Sequence, residues 1–266
     1  MQGSVLIQNL HFVCESTDDL TAIKRKVPEE ARGIVDTLNR LFGQVSSTLT
    51  AKDVFISNAA HQLRNPIAGV VAMSEAVASA KTIDDMRERS HELAKASRRA
   101  GDLAEKLLAL ERASAAGVSD QFDAVDLKEL LSTVTDRQTK ASKIKLTRRL
   151  PKGPVLVEGD QTMLTEAITN LIENARLHGG PKLSEITVSL EQTSDKAVIT
   201  VADDGVGIAP DDLARARERF GQIHPSQGSG LGLAIADTVA QQHGGQMIIE
   251  PSDTGLSVAL NLPMLA

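Results

Sequence analysis

The sequence predicts two domains in series: an all-α antiparallel helical hairpin that pairs with a second copy into a dimeric four-helix bundle, then an α/β sandwich. Three observations predict this. Apolar residues recur at heptad spacing across residues 51–112. A run of small residues at 113–119 interrupts that pattern. Beyond it, segments of period 3.6 mix with segments that alternate like strands. The length of 266 residues suits about two domains. Aromatic residues make up only 2%, with no Trp or Tyr, so the core must be built from Leu, Ile, Val and Ala, which suits helix bundles.

Other composition signals narrow the class. Hydrophobic residues at 41% and charged residues at 24% are ordinary for a soluble globular protein. A net charge of −6 argues against a dedicated nucleic-acid binder, which would be basic. Cys14 is the sole cysteine, which excludes an internal disulfide and points to a reducing compartment. No apolar run approaches the ~18 residues of a membrane span, and no secretory signal is visible. The expectation is a cytoplasmic protein, or the soluble part of a longer one in which a membrane sensor could precede Met1.

The elements follow in order. Residues 1–27 contain a short apolar alternation at 4–13 and are a segment of unknown role. Residues 28–50 read as a helix, with Pro28 at a first-turn position and Glu29 and Glu30 near the positive end of its dipole. Residues 51–114 form the hairpin. Ile56, Leu63, Val70 and Val77 recur every seven residues, which places His61 at position f, facing away from the seam. Pro66 removes a helix hydrogen bond and should bend the chain just past His61. Lys81 and Thr82 mark the turn. Ile83, Met86, Ser90, Leu93, Ser97, Ala100, Ala104 and Leu107 continue the pattern in the second helix. A lone hairpin buries little, so pairing of two chains follows.

Residues 115–121 are a linker, and 122–266 form the second domain. A helix is expected at 127–142, with strands at 145–150 and 154–158. Asp160 caps a helix carrying Met163, Leu164, Ala167, Ile168, Leu171, Ile172 and Ala175. Strands at 186–190 and 197–202 read as a pair. A helix at 231–242 stops at Gly244-Gly245, and strands at 247–250 and 256–262 close the chain. Antiparallel strands mixed with helices suggest helices on one face of a sheet.

Four short segments carry the chemistry. His61-Gln62-Leu63-Arg64-Asn65-Pro66 puts an imidazole, a competent nucleophile near neutral pH, on an exposed helical face. About 110 residues later, Asn170-Leu171-Ile172-Glu173-Asn174 continues a polar face begun by Glu166, four residues apart each time. Asp203-Asp204-Gly205-Val206-Gly207 follows a strand. Gly228-Ser229-Gly230-Leu231-Gly232-Leu233 opens a helix, where free backbone N–H groups attract phosphate. Each has an ordinary alternative: an idle histidine, a solvated polar stripe, a hairpin turn, a glycine-rich loop.

Together, in this order and spacing, the four segments resemble the catalytic core of a bacterial two-component sensor histidine kinase. The resemblance covers roughly residues 50–266. It implies a dimerisation and phosphotransfer domain followed by a Bergerat-type ATP-binding domain of the gyrase, Hsp90 and histidine-kinase superfamily, with ATP and Mg²⁺ as cofactors. His61 would be the phosphoacceptor, and a homodimer and a cognate response regulator would be the partners. Residues 28–50 resemble the outgoing helix of a HAMP relay module, and a plain coiled coil explains them equally well.

The resemblance also implies individual roles. Asn65 is similar to the residue that positions water against a phospho-aspartate. Asn174 would ligate the metal, which favours oxygen donors, with Asn170 in support and His178 near the nucleotide. Asp203 would accept from the adenine amino group, with Gly205 and Gly207 beside the base. Arg219 and Phe220 resemble the phenylalanine box, and residues 221–227 a short lid. Gly228, Gly230, Leu231 and Gly232 form the second glycine box. Two positions depart from the family pattern. Gln62 stands where a carboxylate usually accepts the proton, and an amide cannot do so. Leu177 stands where a lysine is usual. These departures favour one rival, a nucleotide-binding signalling scaffold with little kinase activity; the others are a protein acting mainly as a response-regulator phosphatase, and an ATP hydrolase or chaperone with the same pocket, which would leave His61 unexplained.

Overall fold

The computed structural model describes residues 32–115, 122–139, 144–218, 220–221, 229–252 and 255–265. The expectations for residues 1–31, including the short strand and the helix start at Pro28, lie outside them, as do Arg219, Gly228 and residues 222–227 of the lid. The chain divides into two compact units, residues 1–61 and 62–266.

In the first unit the described part is the leading portion of helix α1 (Arg32–Ala78). Six of its apolar side chains, Ile34, Leu41, Val45, Leu49, Val54 and Ile56, are 46–66% exposed, whereas Phe55 is buried.

The second unit begins inside α1, which runs through Pro66 without interruption. A tight turn leads to α2 (Ile83–Ala115). The Thr82 hydroxyl accepts the Asp85 N–H at 3.2 Å, capping α2. Arg89 ties the two helices by donating to the Ala76 carbonyl at 2.7 Å. The far end of α2 is buried: Leu103, Leu107, Leu110 and Ala113 pack against helices of the α/β domain described next.

That domain contains β1 (Asp123–Asp126), α3 (Leu127–Thr139), β2 (Lys145–Arg149), β3 (Leu156–Gly159) and α4 (Gln161–His178). It continues with β4 (Glu185–Gln192), β5 (Lys196–Asp203), a 3-10 turn (Pro210–Asp212), α5 (Leu213–Arg217), α6 (Gly232–Gln242), β6 (Gln246–Ser252) and β7 (Gly255–Pro263). The main sheet has the order β2-β4-β5-β7-β6, and β1 pairs separately with β3.

The pairing is antiparallel except between β2 and β4, which run parallel. The sheet is therefore mixed, with three antiparallel pairings and one parallel one. The chain between β2 and β4 passes through β3 and α4, the kind of long crossover that parallel neighbours require. Alternate residues fill one face: Ile186, Val188 and Leu190 on β4, Ala197, Ile199 and Val201 on β5, and Val258, Leu260 and Leu262 on β7. Helices α3, α4 and α6 cover that face. β1 was not anticipated, because of its four residues only Val125 is buried and the rest read as polar loop.

Candidate functional site

The site is built on α4. Asp160 caps it, its carboxylate accepting the N–H groups of Thr162 at 2.7 Å and Met163 at 3.0 Å. Leu164, Ala167, Ile168, Leu171, Ile172 and Ala175 are buried and anchor the helix. That leaves Asn174 and His178, one turn apart, on the wall of a cavity of about 290 Å³. This is the size of a small-molecule site. Leu171 and Ala175 of α4, Val201 and Asp203 of β5, the loop from Val206 to Ala209, and Leu256 and Val258 of β7 complete one side. Gly230, Gly232 and Leu233 at the start of α6 form the other.

Two adjacent carboxylates at the end of β5 have different surroundings. Asp204 turns away from the cavity and accepts the Ser184 N–H at 2.8 Å, the Glu185 N–H at 3.0 Å and the Ser184 hydroxyl. Above all the Glu185 N–H, then the two Ser184 donors, hold its pKa down at about 2. Asp203 faces the cavity. Burial pushes its pKa up, while bonds from the Gly205 N–H, at 2.9 Å, and the Leu256 N–H pull the other way. A half-buried carboxylate with acceptor capacity on an apolar wall fits a ligand that offers an N–H donor.

At the opposite end, α6 starts at Gly232 directly against Asn174. A Cβ at Gly232 would lie 2.8 Å from the Asn174 Oδ1 and 2.9 Å from its Nδ2. Only a hydrogen there allows the amide and the helix N-terminus to meet. This junction joins an amide oxygen to the positive end of a helix dipole, suited to an anion and a hard cation together. Among the described residues, no group of three or more His, Cys, Asp or Glu side chains is placed to hold a metal by itself. The donor set here fits Mg²⁺, which keeps several waters and is shared with phosphate oxygens.

The structure brings together most of the residues singled out in the sequence. Asn174, His178, Asp203, Gly207, Gly230 and Gly232 line the cavity. Leu231 is fully buried beneath it. Gly205 packs on Gly179, where an added Cβ would lie 2.4 Å from the Gly179 carbonyl oxygen. Phe220 adjoins the cavity through its backbone N–H, which donates to the Gly230 carbonyl at 3.0 Å. Asn170 is not on the wall: it is 4% exposed and its Nδ2 donates to the Glu166 carbonyl at 3.0 Å. Leu177 is exposed.

Sequence reasoning missed Gly255, where a Cβ would lie 1.9 Å from the Asp203 carbonyl oxygen, and Leu256, whose N–H bonds the Asp203 carboxylate. A glycine after Ser-Asp-Thr was the one available signal. Asp212, also on the wall, gave none. On α1, His61 and Asn65 are exposed and Gln62 is half-buried.

Comparison with known proteins agrees with this geometry. Residues 51–116 match the His Kinase A (phospho-acceptor) domain. Residues 159–266 match the histidine kinase-, DNA gyrase B- and HSP90-like ATPase. The chain carries the paired phospho-acceptor and ATPase domains of a histidine kinase. Relatives include the sensor-like histidine kinase SenX3 of Mycolicibacterium smegmatis, 32% identical over 79% of this chain and 56% of that protein. The sensor protein QseC of Salmonella typhi is 33% identical over 90% of this chain and 53% of that protein. The chain thus spans about half the length of these curated relatives. The fold is that of the Acinetobacter baumannii histidine kinase AdeS, at 20% identity, with a TM-score of 0.58 over 77% of this chain and 98% of that one. It is also that of full-length ShkA in complex with AMPPNP, at 21% identity, with a TM-score of 0.59 over 80% of this chain and 46% of that one. Among the described residues, no helix is long and apolar enough to cross a membrane.

Proposed function

We propose that this chain is an ATP-dependent protein-histidine kinase that phosphorylates His61 and passes the phosphoryl group to an aspartate of a response regulator. The observation that carries the reading is the cavity's polarity. It has an acceptor carboxylate, Asp203, at one end and the Asn174 amide against a helix N-terminus at the other. Adenine would fill the apolar end, its amino group donating to Asp203. The phosphates would meet the start of α6. Asn174 would offer its oxygen to Mg²⁺, which neutralises phosphate charge, and Asn170 would support it from below. His178, on the cavity wall, would lie beside the nucleotide, and the resemblance assigns Arg219 and Gly228 to the phosphate end. Residues 51–114 are read as the phosphotransfer domain and 122–266 as the ATP-binding domain, in a homodimer.

In the reaction an imidazole nitrogen of His61 attacks the γ-phosphorus. The bond from that phosphorus to the β,γ-bridging oxygen breaks and ADP leaves. The imidazole proton goes to water, because Gln62 cannot accept it. Positioning and charge neutralisation supply most of the catalysis. The exposed Asn65 is suited to orient water against the regulator's phospho-aspartate, which adds a phosphatase activity. The test is incubation of the purified chain with Mg²⁺ and γ-labelled ATP. A kinase accumulates acid-labile, base-stable label on the protein. A scaffold binds nucleotide and stays unlabelled. A hydrolase releases phosphate steadily without a phosphoprotein.

A further inference from the structure

Helices α4 and α6 run antiparallel and meet at both ends. At the cavity end the Asn174 amide abuts Gly232. At the remote end the contact is His243, just past α6. The residue is 4% exposed. Its Nε2 accepts the Asp160 N–H at 3.0 Å, at the residue that caps α4. That fixes the proton on Nδ1, which donates to the Val239 carbonyl at 2.7 Å. One ring face stacks on Phe122, with centroids 4.7 Å apart and planes within 10°. The ring edge fills the space where a Cβ of Gly159 would lie, 2.4 Å from Cδ2. Both nitrogens are used and the ring has no room to turn.

We infer that His243 is a positioning residue for the nucleotide site: its neutral ring staples the start of α4 to the end of α6, and protonation opens the staple. A proton on Nε2 would face the Asp160 N–H, donor against donor, inside a packed core. The cap of α4 must then shift. The two helices are rigid rods packed on each other, so a shift at Asp160 and His243 reaches Asn174 and Gly232. Asp160 is the ionisable neighbour that acts on the ring, and its charge favours the imidazolium. Asp123 and Glu158 lie on the adjoining strands β1 and β3, paired to Gly159 and Ala124. Burial outweighs the Val239 carbonyl and Asp160 and holds the imidazole below its usual range, so the open form belongs to acid pH.

This inference rests on the nucleotide-site reading. Its test is Mg·ADP affinity of the full chain, by calorimetry, for wild type and His243→Gln. A Gln amide oxygen can accept the Asp160 N–H without titrating, and the Val239 carbonyl keeps the His243 backbone N–H, 3.1 Å away in the wild type. The two proteins differ only at position 243, so the difference between their profiles isolates that residue. Wild type should lose affinity by a further factor of about five or more relative to His243→Gln between about pH 8 and about pH 5.5. His243→Phe, which keeps the stack and lacks the acceptor, should bind weakly and follow the pH profile of His243→Gln. On the unmodified protein, the imidazole NMR titration of His243 should share its midpoint with the loss of affinity. Parallel profiles for wild type and His243→Gln, or mismatched midpoints, overturn the inference. Absence of ADP binding by wild type at about pH 8 overturns the nucleotide-site reading and takes this inference with it.

Discussion

Asp203 and Asp204 show how two neighbouring carboxylates acquire separate duties. Asp204 is satisfied by Ser184 and Glu185 at the start of β4, so it belongs to the fold. Its folded pKa of about 2 lies below the ordinary 3.8. The stability it contributes is therefore present above the ordinary value and lost as pH falls from there towards 2. Asp204→Ala should lower the thermal midpoint at neutral pH, and the gap to wild type should close near pH 2; a constant gap across thermal melts at several pH values would contradict it. Asp203→Asn should leave folding largely intact and weaken ATP binding. Loss of a charge-assisted hydrogen bond is worth about 1.5–3 kcal/mol, roughly tenfold or more in affinity. Gly232→Ala should displace the Asn174 amide and weaken Mg²⁺-dependent binding, since the added methyl would sit 2.8 Å from Oδ1. Calorimetry with and without Mg²⁺ checks both. Asp203 and Asn174 were legible in the sequence because each lies in a short segment of fixed spacing. Gly255 was not, because the carbonyl it must clear belongs to Asp203, far earlier in the chain. Asn170 shared the spacing of Asn174, yet it is buried away from the cavity wall.

At the scale of elements, the two helices of the hairpin have different surroundings. The end of α2 is part of the α/β domain's core: Leu110 is fully buried and Leu107 nearly so. Glu173 on α4 also pairs with Lys106 at 3.0 Å, with side chains 45% and 30% exposed. Apolar contact should outweigh the ion pair. Leu110→Ala should cost about 2–5 kcal/mol by leaving a cavity, whereas Lys106→Met should change stability by about 1 kcal/mol or less, as expected of a half-exposed pair. Denaturant melts of both variants decide it. Periodicity made α1, α2, α4 and α6 readable, because each has one continuous apolar face. The direction of β2 was hidden, since a strand's sequence records which side is buried and not which way its neighbour runs. β1 was hidden because three of its four residues are not buried.

For the whole molecule, the surface left open by one chain matters. Ile67, Val71, Ile83 and Met86 are 47–70% exposed, large apolar side chains that a second copy would cover as a four-helix bundle. Sedimentation should give twice the mass of one chain at micromolar concentration. Leu63→Asp or Val70→Asp should lower that mass or unfold the bundle, because an unpaired charge would be buried. A wild-type monomer would contradict the dimer.

The central claim joins the cavity to one histidine, and phosphoryl transfer to His61→Gln tests it most directly. Wild type and variant should bind Mg·ATP alike, because His61 is exposed on α1 and absent from the cavity wall. With γ-labelled ATP the wild type should gain acid-labile label and His61→Gln should gain none. Label persisting on His61→Gln at wild-type levels would place the phosphoacceptor elsewhere and contradict the claim.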